Sequence, residues 1–195
     1  GLVEGTPGVI GGGDGPIAAA GVGIVEPTDG AYAYLGSSSW ISLASDKPLL
    51  DLPLMRTMTF NHVLSGRYVP TATMQSGGGS LHWVADLLAD RDDGDRFTRL
   101  VADADTTDSS GEGLYFLPYL LGERSPLWNP NARGAFVGLA RHHGPAHLTK
   151  AVLEGVAFNL GICVDALRDR GVVIDRVDAT GGGAASDVWL QVLAA

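Results

Sequence analysis

Glycine constrains this chain more than any other residue: there are 28 among 195, and they fall in clusters, not at a fixed period. Gly11 to Gly15 surround a single acid, Asp14; Gly77 to Gly79 and Gly181 to Gly183 form two further runs. The lack of a period excludes a collagen helix, and an apolar content of 45% excludes a flexible linker or a disordered chain. Glycine tolerates positive φ and lets a bulky anion approach the main chain. Three such loops in one chain point to backbone segments closing on a common ligand. Three unrelated tight turns are the plainer alternative.

The segments between the loops alternate in type. Residues 6 to 10, with Gly8-Val9-Ile10 at their core, read as a strand feeding the first glycine run, and 17 to 25 as a short helix rich in alanine. Residues 31 to 45 read as a β-hairpin whose tip, Gly36-Ser37-Ser38-Ser39, is all glycine and serine. Such a tip offers N–H groups and hydroxyls to a phosphate, and is equally an ordinary hairpin turn. Residues 46 to 60 read as loop and edge strand. Tyr68 to Met74 reads as a strand, and Pro70 places it at a sheet edge. Ser80 is expected to cap a helix over 81 to 88, and 97 to 104 reads as another. The acidic loop from Asp90 to Asp95 fits no calcium-loop register. Leu114 to Leu117 reads as a buried strand, and His147 to Arg168 as the longest helix, ended by Gly171. A closing helix begins near Ser186. Strands alternating with helices give an α/β class.

Composition removes several functions. A net charge of −9 argues against a nucleic-acid surface. The apolar runs are too short and too broken by glycine for a membrane span, and no signal peptide opens the chain. The single cysteine, Cys163, cannot form an intrachain disulfide, reads as core, and fits a cytoplasmic setting. The closing run from Asp187 to Ala195 stops inside an apparent helix, so the chain is expected to be a piece of a longer protein.

The chemistry-bearing residues are few. No glycine loop ends in Gly-Lys-Ser/Thr, and Gly-x-Ser-x-Gly is absent. His142, His143 and His147 form one cluster without acids nearby in sequence, so a solvated loop at a helix start is expected there before a metal site. What remains is phosphoryl transfer by positioning, which needs backbone cradles, a metal and one carboxylate to deprotonate the attacking hydroxyl. Asp14, the tip at 36 to 39 and the turn at 180 to 184 could supply those parts. Taken alone, Asp14 reads as a turn or N-cap residue.

Four stretches together resemble the C-terminal, nucleotide-binding domain of the FGGY carbohydrate kinases, the xylulokinases most closely. They are Gly11-Gly12-Gly13-Asp14; Leu35-Gly36-Ser37-Ser38-Ser39; the block from Leu117-Pro118-Tyr119 through Gly122-Glu123-Arg124-Ser125-Pro126 to Gly134 and on to the helix at His147; and Thr180-Gly181-Gly182-Gly183-Ala184. The third is specific; the first and last are weak when taken singly. The resemblance spans nearly all of residues 1–195. It implies a ribonuclease-H-like fold of the actin/Hsp70 ATPase type, with a mixed sheet flanked by helices. It implies ATP-dependent phosphorylation of a sugar hydroxyl, a pentulose such as D-xylulose first among the candidates, with Asp14 as catalytic base.

By the same resemblance ATP meets Gly13, Gly36, Ser37, Ser38, Gly78, His82, Gly181, Gly182, Gly183, Ala184 and Asp187, and Asp14 meets Mg2+, directly or through water. Glu123 and Arg124 fall to ordering the cleft wall. The sugar would bind mainly to an N-terminal domain that is not in this chain, as is the extreme C-terminal tail, and a homodimer is compatible. Gly15-Pro16 after Asp14, Ser37 in place of threonine and His82 depart from the family pattern. The isolated 195 residues are therefore expected to lack kinase activity. A non-catalytic nucleotide-binding or sensor domain is the alternative, and a purely structural or dimerisation domain a third reading.

Overall fold

Side chains in a strand alternate between two faces, and β1 (Ala31–Leu35) sorts its residues accordingly. Ala31, Ala33 and Leu35 join a large apolar cluster, while Tyr32 and Tyr34 join a small one on the opposite face. The computed structural model describes residues 1–8, 11–52 and 54–195. Among these, β1 pairs antiparallel with β2 (Ser39–Leu43), which divides its residues in the same way: Ile41 and Leu43 face the large cluster and Trp40 the small one. Next come β4 (Tyr68–Met74), then β3 (Met58–Asn61) at the edge. On the other side β1 pairs in parallel with β7 (Val177–Thr180), completing a mixed five-stranded sheet in the order β3-β4-β2-β1-β7.

Helices cover the two faces unequally. The face carrying Leu35 and Met74 packs under α4 (Pro145–Arg168), the longest helix. Val152, Leu153, Val156, Leu160, Cys163 and Leu167 recur at helical spacing on α4 and are all buried. Around it lie α2 (Gly78–Leu88), α3 (Arg96–Ala104), α5 (Asp187–Ala194) and a small hairpin of β5 (Tyr115–Leu117) with β6 (Ala135–Val137). Among the described residues the other face carries only α1 (Asp14–Gly21), whose Ala19 packs with Ile24, Tyr32, Ala44 and Val69.

Several sequence-based expectations are corrected. The first helix begins at Asp14, not at 17, because Gly15 and Pro16 fall in a first turn whose N–H groups have no intrahelical partner. Of the strand expected over 6 to 10, Thr6 to Gly8 are not strand, and Val9 and Ile10 lie outside the described residues. Ser80 caps nothing: α2 starts at Gly78 with Gly77 as N-cap, and the buried Ser80 Oγ donates to Ser76 O at 2.8 Å. β4 is interior, not an edge. Its pairing with β2 stops at Ser42–Thr71 and returns only as the isolated Ser45–Tyr68 bridge, so the missing N–H of Pro70 falls in the gap.

Candidate functional site

β1, β4 and β7 point the same way, so Leu35, Met74 and Thr180 end at one edge of the sheet, where α/β domains hold ligands. Each strand runs into a glycine turn there. Gly77 and Gly79 donate their N–H groups to Ser37 O at 2.9 and 3.0 Å, and Gly78 donates to Gly36 O at 2.7 Å. The start of α2 is thereby spent on holding the hairpin tip. The Ser37 and Ser38 N–H groups have no protein acceptor among the described residues and stay open at the tip.

The closeness requires glycine at two points. A Cβ on Gly78 would lie 2.8 Å from Gly36 O, and Gly181 has φ +90° with its Cβ position 2.8 Å from Leu35 O.

These turns rim a cavity of about 670 Å³. Gly36, Ser37 and Gly78 form one edge, and Gly182, Gly183 and Ser186 another. Between them Leu81, Phe97, Val101 and the almost fully buried Trp189 make an apolar wall. His82 joins this wall with its ring edge-on to Phe97, centroids 4.6 Å apart. An apolar slot with a polar backbone edge suits a flat ring carrying an anionic tail.

Of the residues singled out in the sequence, Gly36, Ser37, Gly78, His82, Gly182 and Gly183 line this cavity. Ser38 sits beside them in the tip; Gly181 packs on the Leu35 backbone; Ala184 packs onto the large cluster; and Asp187 opens α5 between the lining residues Ser186 and Val188. Gly13 and Asp14 stand apart, at the start of α1. Sequence reasoning missed Tyr34, Phe97, Val101 and Trp189. Their periodicity marks them as core, and only the fold turns one side of them toward a void.

Asp14 is exposed, and its Oδ1 accepts the Gly15 N–H at 2.9 Å. The neighbouring Gly15 carbonyl accepts from the buried Tyr32 hydroxyl at 3.1 Å, which in turn accepts the Trp40 indole N–H at 2.9 Å. Burial holds the Tyr32 phenol above its ordinary pKa.

Glu123, expected in a polar loop, is buried. Its Oε1 accepts the N–H groups of Gln75 and Arg124, both at 2.9 Å, which ties the loop to the segment just before Gly77. Burial raises its pKa.

The histidine cluster also differs from expectation. Glu112 Oε2 lies 3.0 Å from His142 Nε2, 3.8 Å from His143 Nε2 and 3.7 Å from His147 Nε2, and the His143 side chain is fully buried. His143 Nδ1 accepts the Ala140 N–H at 3.0 Å and His147 Nδ1 the Gly144 N–H at 3.2 Å. With Nδ1 accepting, the neutral tautomer of either ring has its proton on Nε2 and no lone pair there for a metal, and the buried His143 Nε2 has no hydrogen-bond partner among the described residues. Burial, with His142 and His147 beside it, keeps the His143 pKa below the ordinary histidine value.

The sequence model of the FGGY family of carbohydrate kinases, C-terminal domain, matches residues 31–195. A xylulose kinase of Escherichia coli (strain K12) is 39% identical over 188 residues, covering 96% of this chain and 38% of the relative. A gluconokinase of Bacillus subtilis (strain 168) is 36% identical over 198 residues, again covering 96% and 38%. Among solved structures, a xylulose kinase from Rhodospirillum rubrum superimposes with a TM-score of 0.83 at 34% identity, covering 92% of this chain and 35% of that one. The chain thus spans a little over a third of the length of the relatives it matches.

Proposed function

The chain belongs to the FGGY family of carbohydrate kinases, as its C-terminal domain, and from that premise we propose that the intact protein transfers the γ-phosphate of ATP to a sugar hydroxyl. The observation that carries this reading is the convergence of three glycine turns on one cavity with an apolar wall. The concavity fits a nucleotide: Gly78 and Gly183 let its edges close up, since a Cβ on Gly78 would lie 2.8 Å from Gly36 O and one on Gly183 2.9 Å from the Leu35 Cβ, and Phe97 and Trp189 belong to the apolar wall against which a base would lie. The open N–H groups and hydroxyls of Ser37 and Ser38 hold phosphate oxygens, and Gly13, Gly181, Ala184 and Asp187 complete the nucleotide contacts.

Asp14 acts as the base. Its carboxylate takes the proton of the sugar hydroxyl as that oxygen bonds to the γ-phosphorus and the bond from phosphorus to the ADP oxygen breaks. Mg2+ would neutralise phosphate charge, and Asp14, a hard oxygen donor with only Oδ1 engaged among the described residues, is the residue that would meet it, directly or through water. A pentulose such as D-xylulose is the favoured substrate from the kinship with xylulose kinases, and gluconate is the competitor from the gluconokinases. The sugar binds mainly to a domain outside this chain. Among the described residues no helix is long and apolar enough to cross a membrane, and a cytoplasmic setting is part of this reading.

The test is Asp14→Asn in the intact kinase. Turnover is expected to fall by roughly 10²–10⁴-fold while MgATP affinity holds; undiminished turnover would sink the reading. The 195-residue chain alone is expected to gain thermal stability from MgATP and yet to phosphorylate no sugar.

A further inference from the structure

Three aromatic rings on the α1 face of the sheet join the two ends of this site. Tyr32 is fully buried, and its hydroxyl stands between Trp40 Nε1 at 2.9 Å and Gly15 O at 3.1 Å. An indole can only donate and a carbonyl can only accept, so the direction of the chain is set: Trp40 N–H to the Tyr32 oxygen, Tyr32 O–H to Gly15 C=O. Gly15 adjoins Asp14, and its N–H is held by the Asp14 carboxylate. The helix that begins there has eight residues and no side-chain N-cap. A helix this short depends on outside contacts to keep its shape. At the other end, Trp40 stacks on Tyr34 with centroids 4.0 Å apart and planes 18° apart. Tyr34 lines the cavity, and its ring fills the space where a side chain on Gly36 would go.

We propose that Trp40 and Tyr32 form a hydrogen-bonded strut that fixes the first turn of α1, and with it Asp14, relative to the Gly36–Ser38 tip, which makes Tyr32 a positioning residue for proton transfer. The proposal rests on the reading of Asp14 as base. The strut differs from ordinary core packing because its polar end terminates on the residue next to that base. Burial keeps the phenol protonated, as a donor to Gly15 requires. Among the described residues, the other buried members of the small cluster, Ala19, Ile24, Ala44 and Val69, have no side-chain donor to offer α1.

Positioning predicts a particular kinetic pattern in the intact kinase. Tyr32→Phe deletes one oxygen and leaves the ring. It is expected to lower kcat by about 10- to 100-fold, since a misplacement of about 1 Å costs on the order of 10² in rate. KM for ATP and for the sugar should stay within about twofold. Trp40→Phe, which leaves the Tyr32–Gly15 bond in place, should lower kcat less and in the same direction. The deciding measurement is the double variant: a residue acting through Asp14 loses its effect once Asp14 is gone, so Tyr32→Phe should cost nothing further on an Asp14→Asn background.

Wild-type kcat in Tyr32→Phe, with Asp14→Asn inactive, overturns the strut and leaves the base reading standing. An undiminished, additive loss in the double variant also overturns the strut. Full turnover in Asp14→Asn overturns both. If Tyr32→Phe fails to fold, Trp40→Phe alone and on the Asp14→Asn background poses the same question.

Discussion

The two faces of the sheet are built differently. On one, α4 and its neighbours bury Leu35, Met74, Val152, Leu153 and Trp189 in a continuous core, and the cavity opens among these elements. On the other, Ala19 of α1 covers a patch of four buried residues, and Asp14 stands exposed at its rim. The cavity has backbone edges and an apolar side-chain wall, fixed by packing density. The Asp14 end is made of side-chain hydrogen bonds laid over a thin apolar layer. On the proposed reading, a rigid wall would serve nucleotide binding and a lightly held one proton transfer. The lightly held layer is also where local opening should cost least.

The comparison breaks most readily on matched truncations. Leu153 and Ile24 are both essentially inaccessible. Leu153→Ala should destabilise the isolated chain by about 3–5 kcal/mol in denaturant unfolding, because the dense core around α4 cannot close the void. Ile24→Ala should cost only about 2 kcal/mol, because the thin cluster can collapse, and should leave MgATP binding intact. Equal losses, or loss of MgATP binding in Ile24→Ala, would show that the faces are not distinct.

Glu123 supplies a second lever, on the loop that braces the cavity. Glu123→Ala leaves the N–H groups of Gln75 and Arg124 without their acceptor and should cost about 1–3 kcal/mol. Glu123→Gln keeps that acceptor. Because the folded-state pKa is raised, the stabilising contribution of Glu123 is fully present below its unfolded value of 4.5 and is lost as pH rises through the folded value. The stability of the wild type relative to Glu123→Gln should therefore decline from acid toward neutral pH. A pH-independent difference between the two would break this account.

What the sequence disclosed, and what it withheld, follows from range. The hairpin with its tip at Gly36 to Ser38, the α4 stripe from Leu148 to Leu167, and the glycine turns at 77 to 79 and 181 to 183 were legible because each signal lies within a few residues, whereas the run from Gly11 to Gly15 stands apart from the cavity they share. The mixed sheet of the ribonuclease-H-like class followed from the motifs in their order. The start of α2 was not legible: Gly77 to Gly79 are held by the carbonyls of Gly36 and Ser37, some forty positions away. The resemblance assigns Glu123 to ordering the cleft wall, but its partner Gln75, 48 positions distant, was not legible. Glu112 met the histidines only once the fold had closed a gap of 30. The interior place of Pro70 depended on which N–H a neighbouring strand left unused. Tyr32 and Trp40 read as ordinary hairpin aromatics, and nothing local announced a link to Gly15.

The smallest expected effect concerns Cys163, which lies on the α4 side beneath β4, where its Sγ donates to Thr73 O at 3.7 Å. Burial pushes its pKa up to about 12, with Glu123 adding to the shift. The thiolate is the reactive form, so the native thiol should resist alkylation at pH 8 and react only when the α4 face opens. Labelling then reports global unfolding, with a tenfold acceleration for every ~1.4 kcal/mol of stability lost. Leu153→Ala should accelerate it more than Ile24→Ala does. The amides of α1, by contrast, should exchange faster than Cys163 opens, because the thin layer can open without disturbing α4. Coincident rates for α1 exchange and Cys163 labelling would mean that the two faces unfold as one unit, and the lightly held Asp14 end would then be no more mobile than the wall of the cavity.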